Sequence, residues 1–166
     1  MMDHPALEHV RVRKARVGDE EQLVALTRQI AQAEGCPESC TVTAENLREV
    51  VLEDGWAEGL VAVEPDDDTQ ILGAILYYRS YPSYAGVRGF FLENVAVVPE
   101  ARGRGVATAL FVALAQEAEA LGVTKYEWGC HRDNVVAQQF YENRVRASRE
   151  DQYMLYSLSP VDLAEG

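Results

Sequence analysis

The chain opens its patterned part with Val10-Arg11-Val12-Arg13-Lys14-Ala15, apolar residues set against basic ones, as in a half-buried edge strand. Gly18-Asp19 then begins a run in which Leu23, Leu26, Ile30 and Ala33 recur every three or four residues. That spacing makes one apolar face and predicts a helix, which Gly35 and Pro37 stop. A second helix is expected from Thr43-Ala44-Glu45-Asn46, where Thr43 can cap free amides and Asn46 stands where a capping-box Glu or Gln would be. Its buried side would be Leu47, Val50 and Val51.

Gly59 to Glu64 and Gln70 to Tyr78 read as two strands, joined by the polar turn Pro65-Asp66-Asp67-Asp68 and therefore antiparallel. A loop with Pro82 and Gly86 leads to a third run, Gly89 to Val98, ended by Pro99. From Gly105 to Leu121 the residues Ala107, Leu110, Phe111, Leu114, Ala118 and Leu121 fall on one helical stripe, closed by Gly122 as a left-handed cap. A strand over Thr124 to Gly129, a short helix from Asn134 to Asn143 and a last strand from Tyr153 to Leu158 complete the pattern. This order predicts one α/β (α+β) domain over residues 10–160, with antiparallel strands first, a flexible stretch at 1–9 and a tail at 161–166.

Composition narrows the class. The 166 residues suffice to bury roughly two thirds of the unfolded surface in a single core. Hydrophobic residues at 48% and charged residues at 25% are ordinary for a folded soluble protein. Fifteen Lys and Arg against 27 Asp and Glu give a formal charge of −12, which disfavours nucleic acid and anionic membranes as partners and favours a cationic substrate. No apolar stretch approaches the roughly 20 residues of a membrane span, and Asp3, His4, Pro5 and Glu8 occupy the place of a signal peptide's apolar region, so cytoplasmic residence is expected. Cys36, Cys40 and Cys130 make no disulfide framework and no zinc set, and read as reduced thiols. The acidic triplet 66–68 reads as a solvated turn, and no metal is expected.

The segment Pro99-Glu100-Ala101-Arg102-Gly103-Arg104-Gly105-Val106-Ala107 lies between a strand and the strongest helix. Glycines at 103 and 105 lack Cβ atoms, so backbone amides can turn inward, and the helix start adds partial positive charge. Two arginines in an otherwise acidic chain argue for a bound anion. The segment has neither the Gly-Lys-Ser/Thr end of a P-loop nor the Gly-x-Gly-x-x-Gly of a dinucleotide fold. A glycine-rich helix entry with solvated arginines remains the alternative.

Val95 to Ala107 resembles the coenzyme A motif of the GNAT superfamily of N-acetyltransferases, Arg/Gln-x-x-Gly-x-Gly/Ala, matched by Arg102, Gly105 and Ala107. A second signature is matched by Asn134-x-x-Ala137-x-x-Phe140-Tyr141. The likeness covers nearly the whole chain and runs to the diamine, or spermidine/spermine, acetyltransferases and the thialysine acetyltransferases. It implies a GNAT-like fold, a central twisted, mixed, mostly antiparallel sheet of six to seven strands with helices on both faces, and a homodimer. It implies acetyl-CoA as cosubstrate, with amides of Arg102, Gly103, Arg104, Gly105, Val106 and Ala107 on the pyrophosphate. The backbone of Val95-Ala96-Val97 would align the pantetheine arm. Asn134 caps its helix and touches the coenzyme, and Tyr141 acts as acid toward the sulfur.

Transfer to an amine near pKa 10 also needs a base. Glu93 is the candidate, because it interrupts an apolar strand on the face of Val95 and Val97, where desolvation would raise its pKa. A glutamate facing water or an arginine is the other reading. Glu34, Glu38 and Asn94 are the candidate acceptor-binding residues. Asn94 departs from the diamine enzymes, which tend to carry aspartate there and another in the loop that is here Tyr81-Pro82-Ser83-Tyr84. The acceptor is thus a polyamine, a diamine or a thialysine-like amino acid. The turn Glu142 to Ala147 lacks the family's frequent glycine and is one residue longer, with Asn143 able to turn left-handed. Two competing functions stay open, acetylation of protein lysines or N-termini, and coenzyme A sensing without catalysis.

Overall fold

The computed structural model describes residues 9–157. In chain order the elements are β1 (Arg11–Lys14), α1 (Glu20–Ala33), α2 (Ala44–Leu47), β2 (Glu58–Glu64), β3 (Asp67–Ser80), β4 (Gly89–Val97), α3 (Val106–Leu121), β5 (Lys125–Trp128) and α4 (Val135–Phe140). Short 3-10 turns at Pro37–Ser39 and Pro99–Ala101 and wide π-helical turns at Arg48–Glu53 and Tyr141–Val145 join them. The sheet runs β1-β2-β3-β4-β5, with the first four strands antiparallel and β5 parallel to β4.

Alternation along the strands splits the apolar residues between two cores. Leu60 and Ala62 of β2, with Ile75, Tyr77, Phe90 and Leu92, meet Val106, Leu110 and Leu114 of α3 on one face. Val61 and Val63, with Ala74, Leu76 and Ala96, meet Leu23, Val24 and Leu26 of α1 and Leu47 of α2 on the other. Helices on both faces therefore agree with expectation. The strand count does not, because the described residues form five strands. Residues 153–157 follow no strand geometry and Leu158 lies outside the described residues. Tyr153, Met154, Leu155 and Tyr156 are 63% to 90% exposed. A sequence of high β propensity forms no strand without a neighbour to pair with. The expected tails lie outside the described residues, apart from His9.

Thr43 and Asn46 do form the reciprocal capping box, Asn46 N–H to Thr43 Oγ1 at 3.2 Å and Thr43 N–H to Asn46 Oδ1 at 3.0 Å. Val50, expected on the buried side, is 41% exposed. The helix widens at Arg48–Glu53, which rotates Val50 outward and brings Val51 and Leu52 against the core. Ile30 is half-buried against this core as expected, whereas Ala33, at the last turn of α1, is exposed. The acidic triplet is absorbed locally, Asp67 bonding Thr69 and Asp68 pairing with Arg16 at 3.0 Å and Arg11 at 3.4 Å. Among the described residues no three His, Cys, Asp or Glu side chains could hold a metal ion, and no helix is long and apolar enough to cross a membrane.

The first strand is tied to the first helix by a buried ion pair. Arg13 donates to Asp19 at 2.7 and 2.9 Å, and the Arg16 amide donates to the same carboxylate at 2.8 Å. Burial alone would push the Asp19 pKa up, but the Arg13 hydrogen bond, the Arg16 amide and the charges of both arginines outweigh it and hold it below the usual value. Asp19→Asn removes the carboxylate paired with Arg13, leaving it the carbonyls of Lys14 and Asp68, and is expected to lower the unfolding free energy by roughly 3 kcal/mol in urea titration. With the folded-state pKa depressed, the wild-type contribution is complete above about pH 4 and disappears as pH falls through the folded-state value, whereas the Asn variant lacks this acid-dependent loss.

Candidate active site

The site begins where β4 changes partners. On its β5 side it pairs from Gly89↔Lys125 to Leu92↔Trp128 and no further. On its β3 side the register passes from Tyr77↔Leu92 to Leu76↔Asn94, so Glu93 is an extra residue, a β-bulge. Beyond it, Asn94 to Val97 pair with β3 alone. Among the described residues the β4 main chain thus has no strand partner on that edge beyond Leu92.

The bulge alters the reading of Glu93. Phe90 and Leu92 before it and Val95 and Val97 after it all pack on the α3-side core, so strict alternation fails across this residue. Glu93 is exposed rather than desolvated among apolar neighbours. Its charge acts on Tyr78, whose phenol is raised first by burial and then by Glu93. Tyr78 borders an open hollow of about 800 Å³ with Gly55, Trp56, Glu58 and Arg79. Ala96, between the two valines, is buried on the α1 side, and the Val97 carbonyl accepts from Gln29 at 3.1 Å.

At the far end of the open edge the chain turns into α3. Gly103 (φ 77°) and Gly105 (φ 82°) are both left-handed, a conformation that costs a Cβ-bearing residue. Nothing lies within 4 Å of a Cβ built at Gly103, so dihedral freedom alone requires glycine there. Gly105 begins α3 without a side-chain cap, and the first turn carries no acidic residue. The first helical hydrogen bond runs from Ala109 N–H to Gly105 O at 2.9 Å, so the amides of Val106, Ala107 and Thr108 are the orphan donors of a helix start, while those of Arg102 and Arg104 already donate to Pro99 O at 3.3 Å and Ala101 O at 3.4 Å. Val106 is buried and Ala107 half-buried, holding this end against the sheet. Of the two arginines, Arg102 is exposed and makes no ion pair among the described residues. Arg104 instead contacts both Glu64 oxygens, at 2.8 and 3.0 Å, so its charge is largely answered within the protein. Sequence order could not show that partner, which lies 40 positions away on β2.

On the α1 side of the bulge lies a pocket of about 220 Å³, lined by Thr27, Ile30, Ala31, Glu34, Cys36, Ser39, Cys40 and Asn94. It brings Glu34 and Asn94 together and leaves out Glu38, which is exposed on the 3-10 turn. The Asn94 amide is oriented by a chain of bonds. Thr27 Oγ1 donates to Leu23 O at 3.0 Å, so it can only accept from Asn94 Nδ2, at 2.9 Å. Asn94 Oδ1 is thereby left as an acceptor. Thr27, Cys36 and Cys40 are pocket residues that sequence reasoning missed, and Thr27, a polar residue within an apolar helical run, was the available signal.

Asn134 caps α4, its Oδ1 accepting from Ala137 N–H at 3.2 Å. That short helix delivers Tyr141 into an aromatic cluster, with ring centroids 5.2 Å from Trp128, 5.7 Å from Phe140 and 6.4 Å from Phe111. Burial, with smaller effects from Cys130 and Glu34, pushes the phenol up to about 12. The extra residue after Tyr141 is absorbed by the π-helical turn Tyr141–Val145, closed by Ala147 N–H to Tyr141 O at 2.9 Å. Arg146 (φ 62°), not Asn143, takes the left-handed position.

Known proteins resemble this chain in sequence and fold. The family model described as Acetyltransferase (GNAT) family matches residues 28–145. An L-ornithine N5-acetyltransferase of Arabidopsis thaliana is 34% identical over 76 residues, 46% of this chain and only 33% of that protein. A thialysine N-epsilon-acetyltransferase of Bos taurus is 30% identical over 119 residues, 66% of this chain and 67% of that one. A solved probable acetyltransferase superposes with a TM-score of 0.70 at 27% identity, covering 90% of this chain and 97% of its own. An aminoglycoside acetyltransferase from an uncultured soil metagenomic sample shares the fold, with a TM-score of 0.71 at 16% identity over 92% of this chain and 98% of its own. The family match runs from within α1 through the glycine turn to the end of the Tyr141 turn, and the chain belongs to the acetyltransferase (GNAT) family, an acyltransferase enzyme.

Proposed function

We propose that this protein moves an acetyl group from acetyl-CoA directly to a primary amine of a small cationic substrate, with both substrates bound together. The observation that carries this reading is the open β4 edge beyond Glu93. It runs from an uncapped helix start at one end to the Glu34–Asn94 pocket and Tyr141 at the other. The amides from Arg102 to Ala107 hold the pyrophosphate, and the backbone of Val95-Ala96-Val97 pairs with the pantetheine amides as a strand would. Asn134, at the start of α4, borders the coenzyme.

The ammonium of the acceptor docks between the Glu34 carboxylate and Asn94 Oδ1, with Glu38 adding negative charge outside. Glu93 removes the proton, through water because it is exposed. The freed amine attacks the thioester carbon, a C–N bond forms and the C–S bond breaks. Tyr141 donates to the departing sulfur. The relatives named for ornithine N5 and thialysine N-epsilon acetylation support an amino acid with a side-chain amine as acceptor, beside polyamines and diamines of the same charge class. The proposal includes a cytoplasmic homodimer, carried by family resemblance. It includes no nucleic-acid or membrane partner, in keeping with the charge of −12.

Steady-state acetylation of an amine panel tests the chemistry. Tyr141→Phe is expected to lower kcat by about 100-fold or more with little change in the KM for acetyl-CoA. Glu93→Gln should lose rate at neutral pH and recover part of it as rising pH supplies free amine. Wild-type rates and pH profiles in both variants would overturn the assignment. Calorimetry tests the cradle separately. Arg102→Ala is expected to weaken acetyl-CoA binding about tenfold, whereas Arg104→Ala, whose guanidinium is paired with Glu64, should change it much less. Equal losses would mean that Arg104 leaves Glu64 for the ligand.

A further inference from the structure

Cys36 and Cys40 have no part in the proposed acetyl transfer, yet both line the acceptor pocket beside Glu34 and Asn94. Both are half-buried free thiols, while Cys130 is exposed and lies outside that pocket. The segment between the two cysteines is tightly curled. Ser39 N–H donates to Cys36 O at 3.0 Å and Cys40 N–H to Pro37 O at 3.2 Å, two successive bonds of the 3-10 turn. Cys36 is itself anchored to α1, its amide donating to Ala31 O at 2.9 Å. The two thiols thus line one small pocket of about 220 Å³. Only three residues separate the thiols, so little loop entropy opposes their union.

We propose that Cys36 and Cys40 are a dithiol modification site inside the acceptor pocket, oxidised to an intramolecular disulfide by a small disulfide such as glutathione disulfide, and that this disulfide shuts out the amine. The Cys36 or Cys40 thiolate attacks one sulfur of the oxidant, forming a mixed disulfide and expelling one glutathione thiolate. The second cysteine thiolate then attacks the protein sulfur of that mixed disulfide and expels the other glutathione. The two protons lost by the cysteines end on the two glutathione thiols, so the protein loses two hydrogens and the oxidant is reduced. Because Cys36 is fixed to α1, the movement falls on residues 37–40, and with it Ser39 and Cys40 are drawn across the pocket. The acetyl-CoA cradle, at the opposite end of β4, is untouched. The gating part of this inference rests on the pocket being the acceptor site.

The test treats reduced full-length protein with glutathione disulfide and reads intact mass, a non-reducing peptide map and acetyl transfer. The expected result is a loss of two hydrogens mapped to Cys36–Cys40, with a rise of about tenfold or more in acceptor KM, unchanged acetyl-CoA binding and reversal by dithiothreitol. Cys130→Ser should show the same mass loss. In the Cys36→Ser/Cys40→Ser variant the two-hydrogen loss should vanish, and with it any oxidant sensitivity relative to that variant's own reduced rate. Glutathione adducts without an internal bridge, a bridge that involves Cys130, or sensitivity that persists in the double variant would each overturn the proposal. A Cys36–Cys40 bridge with unchanged acceptor KM would overturn the gating. Reduced protein inactive toward every amine would defeat the acetyltransfer reading instead, and the peptide map would still decide the disulfide.

Discussion

One surplus residue in a strand organises this molecule. Until Leu92, β4 is paired on both sides and its backbone is spent on the sheet. Glu93 adds a residue that β3 does not match, the strand bends, and β5 ends at Trp128. From there to Val97 one edge of β4 has no strand partner among the described residues. Natural sheets usually hide such an edge, because it invites another chain. Here it leads from the uncapped start of α3 to the pocket under α1, and an extended ligand with amide groups is what would complete it.

The electrostatics follow the same division. In a chain of charge −12, most cationic side chains are answered by nearby carboxylates: Arg13 by Asp19, Arg48 by Glu20, Arg104 by Glu64, and Lys14 by Glu58 and Glu117. At the α3 start, what can attract an anion is the orphan backbone amides, with Arg102 beside them. Amides fixed in a turn cannot relax toward a carboxylate as a lysine can. They are held ready by Gly103 and Gly105, whose left-handed φ values aim them. In the proposed reaction the Glu34 carboxylate and the Asn94 oxygen, which line one pocket on the other face, take the opposite role toward an ammonium.

Legibility from sequence tracked the range of the interaction involved. The α3 helix, its glycine turn, the Thr43 box and the Asn134 cap depend on residues within a few positions of one another, and all were readable. The bulge at Glu93 depends on register with β3, so alternation placed that side chain among apolar neighbours when it is in fact exposed. Val50 and Asn143 failed for one shared reason. Both lie in π-helical turns, where an added residue shifts the helical phase that the apolar period assumes. The Arg104–Glu64 pair and the eight-residue pocket are tertiary, and no periodicity announces them. The segment from Tyr153 has the composition of a strand but, within one described chain, no strand to lie against.

In the proposed reaction the position of Tyr141 presents an apparent difficulty. A phenol held near 12 is a weaker acid than an ordinary thiol, so burial would seem to make it a poor donor to a leaving thiolate. The same aromatic walls, Trp128 and Phe111, would also surround the departing sulfur and exclude water from it. A thiolate without water is a stronger base, since desolvation penalises its charge as it penalises a phenolate. Burial thus moves donor and acceptor in one direction and keeps them matched. It also keeps the proton on Tyr141 at neutral pH, so that the phenol is available as a donor.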